Sequence, residues 1–352
     1  MKLTLKRFQL TKRHALTISR GTSSGSENLL LLIEQDGITG FGEMAPTSGG
    51  AVLEDADTAE AQLEQVRPLL EPLSPDAMQR VEEVLAPFTV GSAWRTAIDS
   101  ALYDWLGKRA NMPVWRLLGL DRERIPYTSV TIGINTPDVI REIVPEVLNR
   151  LEAHVLKVKL GNPLGIEADK AQFAMAQEAA LRPVEWRVDA NGGWNLSDAI
   201  AMTHWLADRG VGFVEQPLPR GQEEDLPALK AESPLPLYLD ESLYFASDIP
   251  RFAESIQGIN LKLMKCGGIR EALRIVHTAQ SHGLKVMFGC MSESSLAITS
   301  AAHLSPLATE VDLDSHLNLT NDPFVGASFS GGRIVPNDLP GLGVTLKEGG
   351  VI

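Results

Sequence analysis

The feature that most constrains this chain is a series of short β-rich runs alternating with amphipathic stretches from about residue 127 to the 310s. Runs at 129–134, 154–160, 184–190, 212–217, 237–242, 258–264, 285–291 and 311–316 read as eight strands. The intervals carry helical patterns such as 166–180, 197–209 and 268–282. Strand–helix alternation marks an α/β chain with a parallel sheet, and eight strands are the number that closes into a barrel. At 352 residues the chain exceeds the roughly 250 of a plain barrel, so a second, smaller unit is expected. No phosphate-binding glycine fingerprint follows any run; Gly267-Gly268 lacks the rest of that pattern.

The first third supplies that unit and reads as α+β. Runs at 3–10, 28–34 and 38–43 look like strands, with Asp36-Gly37 as a two-residue hairpin turn. Between the first two, Thr22-Ser23-Ser24-Gly25-Ser26 reads as a flexible loop able to act as a lid. Helical patterns follow at 53–70 and 92–108, and Pro113 ends the second.

Charged residues recur where the barrel strands should end. Lys159, Asp189, Glu215, Asp240 and Lys262 follow one another at intervals of 30, 26, 25 and 22 residues, close to one strand–helix unit each. The C-terminal ends of barrel strands share one mouth, where sites are built. Three carboxylates brought together there would repel unless a cation joined them. An all-oxygen set without His or Cys suits Mg²⁺ or Mn²⁺ rather than zinc. Lys157 and Lys159, two apart on a strand, point the same way; if that way is inward, desolvation and mutual repulsion would favour a neutral amine, as a base requires. Lys262 approaches from across the mouth.

These residues resemble those of the enolase superfamily, and within it the muconate-lactonizing-enzyme-like subgroup. The resemblance is carried by Lys157-Val158-Lys159, Asp189-Ala190-Asn191, Glu215-Gln216-Pro217, Asp240-Glu241-Ser242 and Lys262-Leu263-Met264-Lys265-Cys266-Gly267-Gly268. Gly42-Glu43 and the helix around 96–108 also fit. It implies a (β/α)7β barrel over 119–321, capped by residues 1–118 with 322–352 completing the cap. It implies Mg²⁺, with Mn²⁺ admissible, on Asp189, Glu215 and Asp240. Lys159 and Lys262 become an acid/base pair on opposite faces of the substrate, Lys157 tunes its neighbour, and Asn191, Glu241 and Lys265 support the ligands.

The substrate is read from the strand-8 run and the cap. Asp312 and Asp314 would share one face of a strand and could hold an ammonium group. This Asp-x-Asp resembles that of dipeptide epimerases, where it binds the free amino terminus, and the strand-7 segment around Met291 is similar to that group. Arg20-Gly21 occupies the place where L-Ala-D/L-Glu epimerases meet the distal carboxylate, and Thr131 matches a residue lining their specificity pocket. The cap loop at 44–50 lacks the aromatic residue often found there. The resemblance thus implies 1,1-proton transfer at the α-carbon of the C-terminal residue of a dipeptide, with the murein fragment L-Ala-D/L-Glu as the expected substrate and an enediolate stabilised by Mg²⁺. The alternatives within the superfamily are o-succinylbenzoate synthase, N-succinylamino acid racemase and cycloisomerase. His14 and His316 lie within sequence reach of the site without an assigned role.

Composition narrows the partners. A formal charge of −13 repels phosphate backbones and excludes a nucleic-acid partner. No stretch approaches the roughly 20 apolar residues that cross a bilayer, so no membrane partner is expected. The N-terminus lacks the apolar core of a secretion signal. With only Cys266 and Cys290, a reduced, cytoplasmic setting is expected, with homo-oligomerisation left open.

Overall fold

The computed structural model describes residues 1–47 and 53–349. Ser48, Gly49 and Gly50, the end of the loop that lacks an aromatic residue, lie outside them. Three antiparallel strands open the chain in the order β1-β2-β3: β1 (Lys2–Ile18), β2 (Gly21–Gln35) and β3 (Ile38–Met44). Gln35 pairs with Ile38 across Asp36-Gly37, both at positive φ, which is the two-residue turn expected from the sequence. β3 lies so close to the helix Ala93–Arg109 that a Cβ on Gly40 or Gly42 would strike the carbonyls of Ala101 and Ala97; only glycine permits that approach.

The run 22–26 is not a loop. Thr22, Ser23, Gly25 and Ser26 pair with Thr17, Leu16, Thr11 and Leu10, so β1 and β2 form one long ribbon whose tip is Ser19-Arg20. Ser/Gly composition suggested freedom, but backbone hydrogen bonding needs no particular side chain, and the pairing overrides it.

Eight parallel strands follow in the order β11-β10-β9-β8-β7-β6-β5-β4. They are β4 (Ser129–Ile132), β5 (Val155–Lys159), β6 (Glu185–Asp189), β7 (Val211–Glu215), β8 (Leu237–Leu239), β9 (Gly258–Leu261), β10 (Lys285–Phe288) and β11 (Glu310–Val311). A Thr128–Val311 bridge brings the two edges together, so the barrel is nearly closed. The helices between strands bury Phe173, Ala176, Met202, Leu206, Ile275 and Val276 against the sheet. A small apolar cluster of Phe213, Tyr238 and Met287 lies apart from the main core. Strand 8 is shorter than its alternating polarity suggests: it ends at Val311, and Asp314 precedes a 3-10 turn, Ser315–Asn318.

The last segment ties the parts together. Thr320 N donates to Thr11 O, and Leu342 N donates to Asp104 Oδ1. Buried His303 accepts from Trp115 N at Nδ1, so its Nε2 carries the proton and donates to Leu342 O at 3.1 Å. Burial lowers its pKa from 6.5 to about 4. The unfolded chain therefore takes the proton first, and the associated stability is full above about pH 6.5 and lost as pH falls toward 4. Urea unfolding of the wild type should show a loss of about 2 kcal/mol from this group between about pH 7.5 and 5. His303→Gln should be less stable at the higher pH yet show a correspondingly smaller acid loss; an identical acid loss in both proteins would contradict this assignment.

Candidate active site

The parallel register brings the strand-end residues into one row. Lys159 pairs with Asp189, and Asp189 with Glu215, at the last positions of β5, β6 and β7. Asp240 follows β8 directly and Lys262 follows β9. Oxygens from Asp189, Glu215 and Asp240 lie within 4.8 Å of one another, and all three residues are buried. Lys159 on β5 and Lys262 after β9 stand four steps apart around an eight-stranded barrel, with three strands between them, which puts them on opposite walls.

Each lysine touches one end of the acidic row. Lys159 Nζ lies 2.5 Å from Asp189 Oδ2, and Lys262 Nζ lies 2.7 Å from Asp240 Oδ2. Lys157 sits deeper, 3.1 Å from Glu215 Oε2, 3.8 Å from Asp189 Oδ2 and hydrogen-bonded to Asp312. Lys265 lies 2.6 Å from Asp240 Oδ1 and donates to the carbonyls of Asp240, Leu243 and Asn260.

For Lys157 this charge set runs against the expectation of a readily neutral amine. Burial alone would lower the Lys157 ammonium, but Asp312, Glu215 and Asp189 reverse that and raise it well above the lysine range. Lys262 is likewise raised against its desolvation by Asp240, Glu215 and Glu241. For Asp240, burial is outweighed by Lys262 and Lys265, which hold it well below the usual carboxylate range. Glu215, desolvated and facing Asp189, is pushed up to about 8.

The acidic row fits a divalent cation. Its donors are hard oxygens without nitrogen or sulfur, the set that suits Mg²⁺-type ions. Buried Asp240 Oδ1 has only the Lys265 ammonium, 2.6 Å away, as a polar neighbour. Asn191 fixes Asp189 by donating from its backbone N and from Nδ2, at 2.7 and 3.0 Å. Asn260, which the sequence did not single out, donates to Glu215 Oε1 at 2.5 Å.

A cavity of about 490 Å³ opens above this row, under the β1–β2 ribbon. Lys157, Lys159, Lys262, Lys265, Asp240, Asn191, Glu241, Arg20, Thr131, Met291, Asp312 and Asp314 all line it. The expected residues thus converge, although Asp312 and Asp314 do so from a turn beyond the strand. Asp312 accepts from Ser129 Oγ at 2.5 Å and Asp314 from Thr131 N at 2.6 Å. Burial, then Asp312, pushes Asp314 up to about 6. Arg20 is not free: Nη2 donates to Glu241 Oε1 at 2.6 Å and Nη1 to Asn191 O at 2.8 Å. His14 lines the cavity beside Glu146, whereas His316, half-buried and not lining it, is lowered to about 4 by desolvation.

Comparison with known proteins agrees with this architecture. The family model described as "Mandelate racemase / muconate lactonizing enzyme, N-terminal domain" matches residues 2–119, and the one described as "Enolase C-terminal domain-like" matches residues 141–350. Two relatives named hydrophobic dipeptide epimerase are similar along their whole length. The protein of Flavobacteria bacterium (strain MS024-2A) is 46% identical, with 99% of each chain covered. That of Roseobacter litoralis is 48% identical, with 99% of this chain and 100% of the relative covered. An L-Ala-D/L-Glu epimerase of Bacteroides thetaiotaomicron is 36% identical over 98% of this chain and 88% of its own. Among solved structures, a dipeptide epimerase of Enterococcus faecalis V583 complexed with Mg and L-Leu-L-Tyr superposes with a TM-score of 0.90 at 31% identity, covering 98% and 99% of the two chains.

Removing one carboxylate from the row should unbalance the charges around it. Asp240→Asn leaves Lys262 and Lys265 without their shared partner, and breaking a buried pair costs about 3–5 kcal/mol. Urea unfolding in the presence of a chelator should show a loss of that order. A loss below about 1 kcal/mol would contradict the pairing.

Proposed function

Since this chain belongs to the enolase superfamily, in its mandelate racemase / muconate lactonizing enzyme branch, we propose that it is a dipeptide epimerase inverting the α-carbon of the C-terminal residue. The observation that carries this reading is the placing of Lys159 and Lys262 on opposite walls, with the acidic row between them and Asp312 and Asp314 at one end of the same cavity. A proton beside a carboxylate is weakly acidic because its removal places a second negative charge on that group. When bound at Asp189, Glu215 and Asp240, a divalent ion, for which we propose Mg²⁺ with Mn²⁺ as an admissible substitute, would draw the substrate carboxylate and favour this second charge.

The chain's own residues do the rest. Lys159 faces one side of the α-carbon and Lys262 the other, so one removes the proton while the opposite ammonium returns it, giving inversion. Lys157 stays charged among Asp312, Glu215 and Asp189 and fixes the electrostatics below its neighbour. Asp312 and Asp314 receive the free ammonium of the first residue. That pair separates this reading from o-succinylbenzoate synthase, N-succinylamino acid racemase and cycloisomerase, whose substrates offer no such ammonium. Glu241, Asn191 and Lys265 hold the row and Arg20 in place.

For the second side chain we propose an apolar residue. The Arg20 guanidinium already pairs with Glu241, so a distal carboxylate would have to displace it, and Leu16, Ile18, Ile132 and Met291 line the cavity. L-Ala-D/L-Glu remains the second reading, favoured by the presence of Arg20 at the cavity. No helix among the described residues is long and apolar enough to cross a membrane, and two free cysteines suit a cytoplasmic setting.

Incubation with Mg²⁺ in D₂O, followed by NMR, tests the reading. L-Ala-L-Leu should exchange its C-terminal α-proton and invert, faster than L-Ala-L-Glu. Lys159→Ala should lower exchange from one stereoisomer by about 10²–10⁴-fold, and Lys262→Ala from the other. Absence of exchange with every L-Ala-L-Xaa dipeptide would exclude this function, and equal loss of both stereoisomers in either variant, or no loss in either, would overturn the lysine roles.

A further inference from the structure

One wall of the cavity takes no part in the chemistry above. β1 and β2 lose register between Thr11, opposite Gly25, and Leu16, opposite Ser23, so the four residues 12–15 face Ser24 alone. The bulge is pinned to the barrel rather than free. His14 N donates to Asn318 Oδ1 at 3.0 Å, Asn318 Nδ2 returns a bond to His14 O at 2.8 Å, and Lys12 bridges Leu319. A bulge re-aims side chains; Lys12 lines the cavity, near enough to Asp314 to feel its charge.

The charges on this wall do not balance. Glu146 is shared by Arg150 Nε at 2.8 Å and His14 Nε2 at 3.2 Å. Asp314 Oδ2 is occupied by Thr131 N. Lys12 Nζ donates to the Ser23 hydroxyl at 3.1 Å and, among the described residues, forms no ion pair. A half-buried ammonium with no carboxylate in ion-pair contact is an expensive feature to keep for structure alone. Ile143 and Val147 line the same cavity with apolar surface, suited to a short methylene stem.

We propose that this end of the cavity is the subsite for the side chain of the dipeptide's first residue, and that it takes an acidic one, whose carboxylate pairs with Lys12 above an apolar stem. The proposal rests on the reading of Asp312 and Asp314 as the ammonium site, which sets the first residue at this end. Lys12 acts on binding rather than on proton transfer, so its influence belongs in KM.

The test compares kcat/KM of the full-length, Mg²⁺-supplied protein for L-Glu-L-Leu, L-Gln-L-Leu, L-Lys-L-Leu and L-Ala-L-Leu. L-Glu-L-Leu should exceed its neutral isostere L-Gln-L-Leu by about tenfold or more, mainly through KM. Lys12→Met should bring that ratio to within about twofold, and Lys12→Glu should turn the preference toward L-Lys-L-Leu. A wild-type ratio near one, or a ratio that neither substitution moves, overturns the subsite and shows that Lys12 only offsets the charge of Asp314. Failure to turn over these four and every L-Ala-L-Xaa dipeptide, L-Ala-L-Glu included, would sink the dipeptide reading itself, a result distinct from turnover without acidic preference.

Discussion

Everything in this molecule depends on keeping Asp189, Glu215, Asp240 and Asp312 buried beside Lys157, Lys159, Lys262 and Lys265. None of these charges could be enclosed alone, because desolvation of an isolated ion exceeds what packing returns. Four carboxylates and four ammoniums compensate one another, and the strand register fixes which meets which. Lys159 meets Asp189 because β5 and β6 pair there in parallel; Lys262 meets Asp240 because the two residues leave the ends of adjacent strands. With Glu215 pushed up to about 8, the set already holds surplus positive charge near neutral pH, so two added positive charges favour the loss of protons from Glu215 and the lysines or the arrival of an anionic substrate. Proton transfer and carboxylate binding follow from the same electrostatic constraint.

The cap is held over this centre by carboxylates placed at helix starts. Glu43, at the end of β3, accepts from Ser294 N, the Ser294 hydroxyl and Ala297 N at the head of the helix Ser295–Ala302. Glu54 accepts from Ser92, Ala93 and Trp94 N at the head of Ala93–Arg109. Exposed helix-start amides need acceptors and favour negative charge, so each contact satisfies donors while joining elements distant in sequence. The first locks the cap to the barrel. The β1–β2 ribbon, extending from that anchored sheet, then reaches the mouth, where Ser19 and Arg20 fasten its tip to Asn191 and Glu241.

What the sequence made legible was what periodicity and spacing control. The barrel strands were readable from alternation, and the polar residues from their intervals, since each strand–helix unit returns the chain to the same mouth. Asp312-Leu313-Asp314 imitated a strand by its alternating polarity, but Asp314 leads into a 3-10 turn, and nothing in that pattern distinguishes the two. The ribbon was misread because Ser and Gly say little about backbone pairing. Asn260 and Ser129 stayed hidden because neutral groups carry no pattern of their own, and the Arg20–Glu241 pair because 221 residues separate its members. The bulge carrying Lys12 arises from pairing with the far end of the chain.

A crystal structure of the protein with Mn²⁺ as an anomalous scatterer and a dipeptide in the cavity decides whether the acidic row holds the metal between the two lysines. One metal peak is expected at about 2.1 Å from an oxygen of each of Asp189, Glu215 and Asp240, with Lys159 Nζ and Lys262 Nζ on opposite faces of the C-terminal residue's α-carbon. A peak away from these three carboxylates, or both ammoniums on one face, would contradict this placement.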